Sequence, residues 1–166
     1  INTNDKDFAT KFYTALYRTA LAPVIYSDKD GEYKNQQGQI HKMDGGKARY
    51  TVFSLWDTFR ALNPLFTITQ PQLVPDLINS MLQFYKENGL LPVWDISSWE
   101  ANTMTGYHSI PVIADAILKD IQGFNVDTAY EAMLKSAFQK QRGTSDYIKY
   151  GYLPQDKHGW SVTITL

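Results

Sequence analysis

The stretch "SSWEANTMTGYHSIPVIADAILK", residues 97–119, joins an acidic, aromatic loop to an apolar helical run. In its second half Ile113 and Ile117 recur at four-residue spacing, which predicts a helix over 108–121. Pro111 suits the first turn of that helix, and Ser109 is its predicted cap. The stretch therefore combines a core helix with a candidate site at the helix entrance.

Similar apolar spacing recurs along the chain and predicts further helices. They cover residues 5–21, 54–62, 72–88 and 128–141, with a shorter helical piece in "SDYIKYG". The predicted caps are Asn4 or Asp5 for the first helix, Ser54 for the second and Asp127 for the fourth. Asn63-Pro64 and Gly89 are the predicted ends of the second and third helices.

Two segments interrupt the helices. Residues 24–49 are polar and rich in glycine, with turn signals at Asp30-Gly31 and Gln37-Gly38, which predict a small β-hairpin excursion. Residues 90–106 form a long aromatic and acidic connection, and such connections often carry function. The terminal "SVTITL" is either a strand or the start of an interrupted element. Together these segments predict a mainly α protein of antiparallel α/α hairpins, arranged as part of an α/α toroid.

Composition excludes several function classes. The 166 residues suffice for one domain, the net charge is −1, and Lys and Arg are scattered, which argues against nucleic acid or an anionic membrane as a partner. No apolar run approaches the length of about 20 residues that a membrane span needs. Without cysteine there is neither a disulfide nor a thiolate metal site. The chain opens with neither Met nor a signal peptide, which is typical of a processed or excised piece.

Aromatic residues are frequent, with four Trp, eleven Tyr and eight Phe. A well-filled core with an interface explains this content. A sugar-binding cleft explains it too, because flat rings stack on pyranose faces while carboxylates and amides bind the hydroxyls. Both interpretations fit the aromatic content.

Glu100 is the leading candidate for an acid. If the indole of Trp99 packs against its carboxyl group, the carboxyl loses hydration, a condition that favours a general acid near neutral pH. An exposed loop carboxylate is the alternative interpretation.

Two more candidates lie at helix ends. His108 could cap the following helix, bind a sugar hydroxyl or ligate a metal. No second histidine stands near it, however, so no metal site is predicted. Asp57 and Arg60, three residues apart, are typical of an intrahelical ion pair, and the neighbouring Trp56 favours a binding surface instead.

Three segments together resemble one known family. They are "YTVFSLWDTFRALNPLFTITQP", "GLLPVWDISSWEANTMTGYHSIPVIADAILKDI" and "YIKYGYLPQDKHGWSV". They are similar to glycoside hydrolase family 92, the bacterial calcium-dependent α-mannosidases, over essentially the whole chain. The resemblance implies an (α/α)6 barrel preceded by a β-sandwich, hydrolysis of α-mannosidic bonds with inversion, and calcium in the sugar site. It also implies a periplasmic or secreted protein.

The resemblance also implies roles for individual residues. Glu100, Asn102 and Tyr107 match the spacing of the family's acid motif, so Glu100 is implied as the general acid. With the residues singled out above, the candidate substrate-binding residues are Trp56, Asp57, Arg60, Trp99, Asn102 and His108. Where the family commonly has Gly-Asn before the acid, this chain has Ser98-Trp99, a difference that bears on the expected α-1,2 linkage.

The family's catalytic base and calcium-binding motifs come after the point where this chain ends. Residues 1–166 are therefore expected to form one partial catalytic domain, the first part of the barrel, without the β-sandwich or the C-terminal part. We expect the parent enzyme to bind calcium and a mannose-containing glycan. The chain alone is expected to be inactive, to hold no calcium and to self-associate through exposed helix faces. The alternatives are a non-enzymatic α-helical carbohydrate-binding or scaffold module, and another toroid glycosidase such as a glucosidase.

Overall fold

A computed structural model describes residues 2–104 and 106–154 of the chain. The helices are α1 (Lys6–Thr19), α2 (Leu55–Thr58), α3 (Leu62–Thr69), α4 (Val74–Asn88), α5 (Ser109–Leu118), α6 (Val126–Ala137) and α7 (Thr144–Tyr150). The strands are β1 (Val24–Ile25), β2 (Glu32–Lys34), β3 (Ile40–Lys42), β4 (Tyr50–Thr51), β5 (Asp95–Ile96) and β6 (Trp99–Glu100). The predicted mainly α class is confirmed. No helix in the described ranges is long and apolar enough to cross a membrane.

The core is built around α4, which contacts α3, α5 and α6. Its side chains Ile78 and Met81 are fully buried, as is Ile113 of α5. The buried face of α6 consists of small residues, Ala129 and Ala132 among them, because a small face lets the helix approach α4 closely. Burial of each large apolar side chain contributes about 1.5–3 kcal/mol to stability.

Several predicted boundaries are confirmed. Asp5 caps α1 by accepting a hydrogen bond from the Phe8 N–H at 3.0 Å. Gly89 ends α4 with a left-handed φ of 84°, a conformation that glycine adopts without steric cost. The short predicted helix near residue 147 is α7.

The predicted helix over 54–62 is wrong in its extent. Only one turn, α2, forms. Ser54 stands at its cap position as predicted, but its side chain makes no capping hydrogen bond, because its hydroxyl donates to the carboxylate of Asp57 instead. Pro64 lies in the first turn of α3 and does not end a helix, since a residue without an N–H is tolerated where no intrahelical donor is needed.

Two predicted caps are also wrong. The position that caps α5 is His108, and Ser109 is the buried first residue of that helix, which ends at Leu118 rather than at residue 121. Asn125, not Asp127, caps α6, because its side chain accepts from the Thr128 N–H at 2.7 Å.

The predicted β excursion is present. Strands β2 and β3 form an antiparallel hairpin, and β1 pairs with β4 to close the base of the excursion. Asn35 shapes the hairpin loop, since its side-chain oxygen accepts from the N–H groups of Gln37 and Gln39. The predicted strand or helix start in "SVTITL" lies outside the described residues.

The long connection 90–106 is not irregular throughout. It contains a second antiparallel hairpin in which Asp95 lies opposite Glu100 and Ile96 opposite Trp99. The two-residue turn between the strands consists of Ser97 and Ser98. This hairpin carries the leading candidate acid.

Candidate functional site

Glu100 lines a cleft of about 390 Å³ between the β5–β6 hairpin, the end of α4 and the β2–β3 loop. Asn102 and Tyr107 line the same cleft, so the structure brings together the three residues of the predicted acid motif. The remaining polar lining consists of Glu87, Asn88, Gln36, Gln37 and Gln141. A cleft with this many amide groups offers both donors and acceptors to a polyhydroxylated ligand.

Main-chain N–H groups hold the Glu100 carboxylate. Oε2 accepts from Val93 N at 2.7 Å, and Oε1 accepts from Trp94 N at 3.0 Å and Asn102 N at 2.8 Å. Asn102 has a φ of 52°, a left-handed conformation that asparagine tolerates better than most residues. The position of the carboxylate therefore follows the path of the backbone on both sides of it.

The turn of the hairpin has an unfavourable backbone. Ser97 and Ser98 have φ values of 53° and 66°, as in a type I′ turn, yet neither is the glycine or asparagine that such turns favour. Two side chains hold it: the Ser97 N–H donates to the Thr51 hydroxyl at 2.6 Å, and the Ser98 N–H donates to Asp95 Oδ1 at 2.9 Å.

Below the turn lies a buried ion pair. Arg49 Nη2 donates to Asp95 Oδ2 at 2.7 Å, and both side chains are 0% exposed. The Thr51 hydroxyl donates to Asp95 Oδ1 at 3.1 Å. Burial raises the pKa of Asp95, whereas Arg49, Thr51 and the Ser98 N–H act in the opposite direction. Sequence reasoning missed Arg49, because nothing in "GGKARY" distinguishes a buried arginine from a surface one.

Tyr107 forms the wall of the cleft beside Glu100. Burial raises its pKa; the positive charge of Arg142 opposes the shift and the negative charge of Glu100 adds to it. The phenol is therefore a neutral hydrogen-bonding group at physiological pH. Arg142 lies 5.9 Å from the Tyr107 ring centroid and donates to the carbonyl oxygens of Asn102 and Met104 at 3.3 and 3.2 Å. Arg142 thus stabilises the position of the loop that follows Glu100.

Glu87, near the end of α4, is a second carboxylate in the cleft. Its Oε1 accepts from the Tyr33 hydroxyl at 2.5 Å and from Gln83 Nε2 at 2.8 Å. Burial raises the pKa of Tyr33, and the contact with Glu87 raises it further. Sequence reasoning missed Glu87 because its position in "FYKENG" is typical of an exposed helix end.

The expected packing of Trp99 on the Glu100 carboxylate is not what holds that group. Trp99 is 57% exposed and is not among the residues that line the cleft. Trp99 and Glu100 are neighbours in β6, and neighbouring residues of a strand point to opposite faces. The carboxylate oxygens of Glu100 accept hydrogen bonds from main-chain N–H groups instead. Trp99 thus lies outside the cleft, on the outer side of the hairpin.

The other predicted site residues form a second group at α2. The Arg60 guanidinium lies 4.6 Å from the Trp56 ring centroid and donates to the Trp56 carbonyl at 3.0 Å. The imidazole of His108 lies 4.1 Å from the ring of Phe59. Within the described part of the chain no ion pair joins Asp57 to Arg60, because Asp57 accepts from Ser54 instead. None of these residues lines the cleft that holds Glu100.

The described residues do not fit a metal site. Across 2–104 and 106–154, no three His, Cys, Asp or Glu side chains are close enough together to hold an ion. Calcium takes six to eight oxygen ligands. The carboxylate oxygens of Glu100 accept from N–H groups, and Asp95 is paired with Arg49. These carboxylates are thus committed to donors rather than to a shared cation.

Comparison with known proteins gives related structures. An α-mannosidase of family GH92 from Bacteroides thetaiotaomicron superposes with a TM-score of 0.91 at 40% identity, over 95% of this chain and 22% of that one. It has also been solved in complex with mannoimidazole. An inverting mannosidase of the same family and organism gives 0.72 at 31% identity, over 88% of this chain and 21% of its own.

An uncharacterized secreted glycosidase of Arthroderma benhamiae is 26% identical, over 84% of this chain and 20% of its own length. The chain thus spans about a fifth of the length of the relatives it matches. The superpositions support the predicted assignment of the helices to part of an α/α toroid. Residues 1–166 match the profile of the glycosyl hydrolase family 92 catalytic domain throughout, and the chain belongs to this family.

Proposed function

We propose that the chain supplies the proton donor of an exo-acting α-mannosidase that cleaves mannosidic bonds with inversion, and that Glu100 is this general acid. The observation that carries the proposal is the position of Glu100 in an amide-rich cleft beside Asn102 and Tyr107. Similarity to an inverting mannosidase and to an α-mannosidase solved with mannoimidazole supports the reaction class. Because the chain spans about a fifth of these relatives, the activity is proposed for a longer polypeptide that contains these residues.

In this mechanism Glu100 transfers its proton to the glycosidic oxygen as the bond to the anomeric carbon breaks. One carboxyl oxygen must leave its N–H partner and face the leaving group, while the other stays anchored. Oε2, with the single donor Val93 N, is the oxygen that moves at the lower cost in hydrogen bonds. Oε1 keeps Trp94 N and Asn102 N as partners.

Inversion needs a second carboxylate, about 6.5–9.5 Å from the acid, to activate water. Glu87 shares the cleft; its Oε1 accepts from Tyr33 and Gln83, and its buried Oε2 has no hydrogen-bond partner among the described residues. Following the family resemblance, we assign the base, and the calcium that the resemblance implies, to residues outside this chain.

The proposed substrate is a mannose-containing glycan, with α-1,2 linkages as the expected target. Asn102 lines the cleft and is proposed to contact the sugar next to the acid. Trp56, Asp57, Arg60 and His108 are proposed to contact sugar from the neighbouring α2 surface, and Trp99 from the outer side of the hairpin. The secreted relative supports a secreted or periplasmic location.

The proposal is tested in the full-length protein with Glu100→Gln and two substrates. An unactivated mannobiose needs a proton on its leaving oxygen, whereas dinitrophenol leaves as a stable anion. We expect Glu100→Gln to lower kcat on mannobiose by about 10²–10⁴-fold and to change dinitrophenyl mannoside hydrolysis little. Equal losses on both substrates would rule out the acid role.

One observation favours a second candidate, a carbohydrate-binding module. Three N–H donors surround Glu100, an arrangement in which the carboxylate acts as a fixed acceptor and not as a donor. In that case the full-length protein would bind mannobiose without hydrolysing it. Calorimetric titration together with an assay of released mannose separates the two candidates.

A further inference from the structure

The placement of Glu100 depends on a turn that is strained and has only a few anchors. Its carboxylate is bound by three main-chain N–H groups, so any shift of the backbone moves the acid. The turn that joins β5 to β6 has two left-handed serines in succession, Ser97 and Ser98. Non-glycine residues persist in this conformation only where the surroundings hold them.

The surroundings that hold this turn converge on one hydroxyl group. Thr51 Oγ1 accepts from the Ser97 N–H at 2.6 Å and donates to Asp95 Oδ1 at 3.1 Å. The same Asp95 oxygen accepts from the Ser98 N–H at 2.9 Å. Thr51 is buried, so no bulk water is available to replace its hydroxyl. Both N–H groups of the turn are thus tied to one pair of side chains.

Further hydrogen bonds hold Asp95 on the side away from the turn. Arg49 binds Asp95 Oδ2 and also donates to the carbonyl of Tyr50 at 2.5 Å, which links the ion pair to β4. The Asp95 carbonyl accepts from the Phe53 N–H at 3.0 Å. Asp95 in turn lies opposite Glu100 in the strand register. A continuous set of hydrogen bonds therefore runs from β4 through Thr51 and Asp95 to the acid's hairpin.

We propose that Thr51, acting with the Arg49–Asp95 ion pair, is a positioning residue that fixes the β5–β6 turn so that Glu100 meets the glycosidic oxygen. This inference rests on the proposed function. Thr51 does not touch the substrate and acts through the hairpin. Its loss leaves in place the cleft residues that lie outside the hairpin, such as Gln36, Asn88 and Tyr107, and misaligns the proton donor.

Thr51→Val tests the proposal in the full-length protein, since valine keeps the shape and removes the hydroxyl. We expect kcat on mannobiose to fall about 10- to 100-fold, as for a small misplacement of a catalytic group, with KM and dinitrophenyl mannoside hydrolysis little changed. Thr51→Ser keeps the hydroxyl and should therefore retain most of the wild-type kcat on mannobiose. Thr69→Val, which removes an exposed hydroxyl that donates to the Leu65 carbonyl within α3, controls for the substitution itself.

Equal losses on the two substrates, or a rise in KM alone, would overturn the proposal. If Thr51→Val does not fold, Asp95→Asn repeats the test from the other anchor, because asparagine keeps the shape of the side chain and removes the charge that strengthens its bonds to Arg49 and the Ser98 N–H. Failure of both variants to fold would also overturn it, since the network would then serve stability alone. Glu100→Gln on the same substrates separates the two hypotheses: if it shows no selective loss, the acid role fails, whatever Thr51 does.

Discussion

Asp95 lies directly opposite Glu100 in the β5–β6 hairpin and forms a fully buried ion pair with Arg49, with 2.7 Å between Nη2 and Oδ2. One strand of the hairpin, β5, is thus anchored in the core, and the other strand, β6, carries the candidate acid. The arrangement couples the stability of this region to the geometry of the cleft.

The first prediction concerns this ion pair. Arg49→Met leaves the Asp95 carboxylate buried without its charged partner, so we expect the free energy of unfolding to fall by about 3–5 kcal/mol. Urea unfolding of the chain measures this loss of stability. The double variant Arg49→Met/Asp95→Leu should lose less than the single one, because no charge stays buried. A larger loss in the double variant would contradict this account.

The second prediction compares two glycines with nearly the same backbone. Gly106 and Gly31 have φ values of 86° and 85°, but a Cβ at residue 106 would lie 2.0 Å from Cε1 of His108, whereas at residue 31 no atom lies within 4 Å. Both alanine variants bear the backbone cost of about 1–3 kcal/mol. Gly106→Ala should lose clearly more in urea unfolding, because His108, held against Phe59, must move. Equal losses would show that His108 has room to shift.

The third prediction concerns alkaline pH. Burial raises the pKa of Tyr33, Tyr50, Tyr85 and Tyr107 in the folded chain. A raised pKa favours the neutral phenol in the folded state, so this stabilisation is fully present below the unfolded pKa of about 10 and is lost as the pH rises above it.

The unfolding free energy should therefore fall steadily above pH 10, with phenolate absorbance appearing late and together with unfolding. Tyr107→Phe should make the fall less steep, since one shifted group is gone. A flat stability profile above pH 10 would contradict the shifts.

The fourth prediction concerns the 166-residue chain on its own. It should release no mannose from mannobiose, with or without calcium, because the proposed base lies elsewhere. Mannose release by the isolated chain would contradict the assignment of the base to residues outside it.

The fifth prediction concerns the exposed helix faces. Tyr130 and Leu134 on α6, Phe138 directly after it, and Phe8 and Leu16 on α1 are exposed. Because contiguous apolar surface favours association, the isolated chain should self-associate. Light scattering measures the mass of the associated species, and Leu134→Glu should lower that mass because it places a charge on the apolar surface. A monomer at all concentrations would contradict this expectation.

The sequence predicted the helical class, the excursion at 24–49, the start of α1 and the end of α4, because apolar spacing and cap residues act locally. It did not predict the extent of α2 or the caps of α5 and α6, where neighbouring polar groups compete for the same hydrogen bonds. The apolar stripe Tyr130, Leu134 and Phe138 marked a helix correctly, yet the face that α6 buries is the one with alanines. Helical period alone does not tell which face meets a neighbour.

The candidate site divides in the same way. By itself the sequence determined the identity and spacing of Glu100, Asn102 and Tyr107, and with them the family. Only the tertiary structure decided that Glu87 shares their cleft, that Trp56, Arg60 and His108 stand apart from it, and that Thr51 and Arg49 hold the acid's hairpin. The physical reason is sequence distance: Arg49 and Asp95 are 46 residues apart, and such a contact forms only when the whole domain packs.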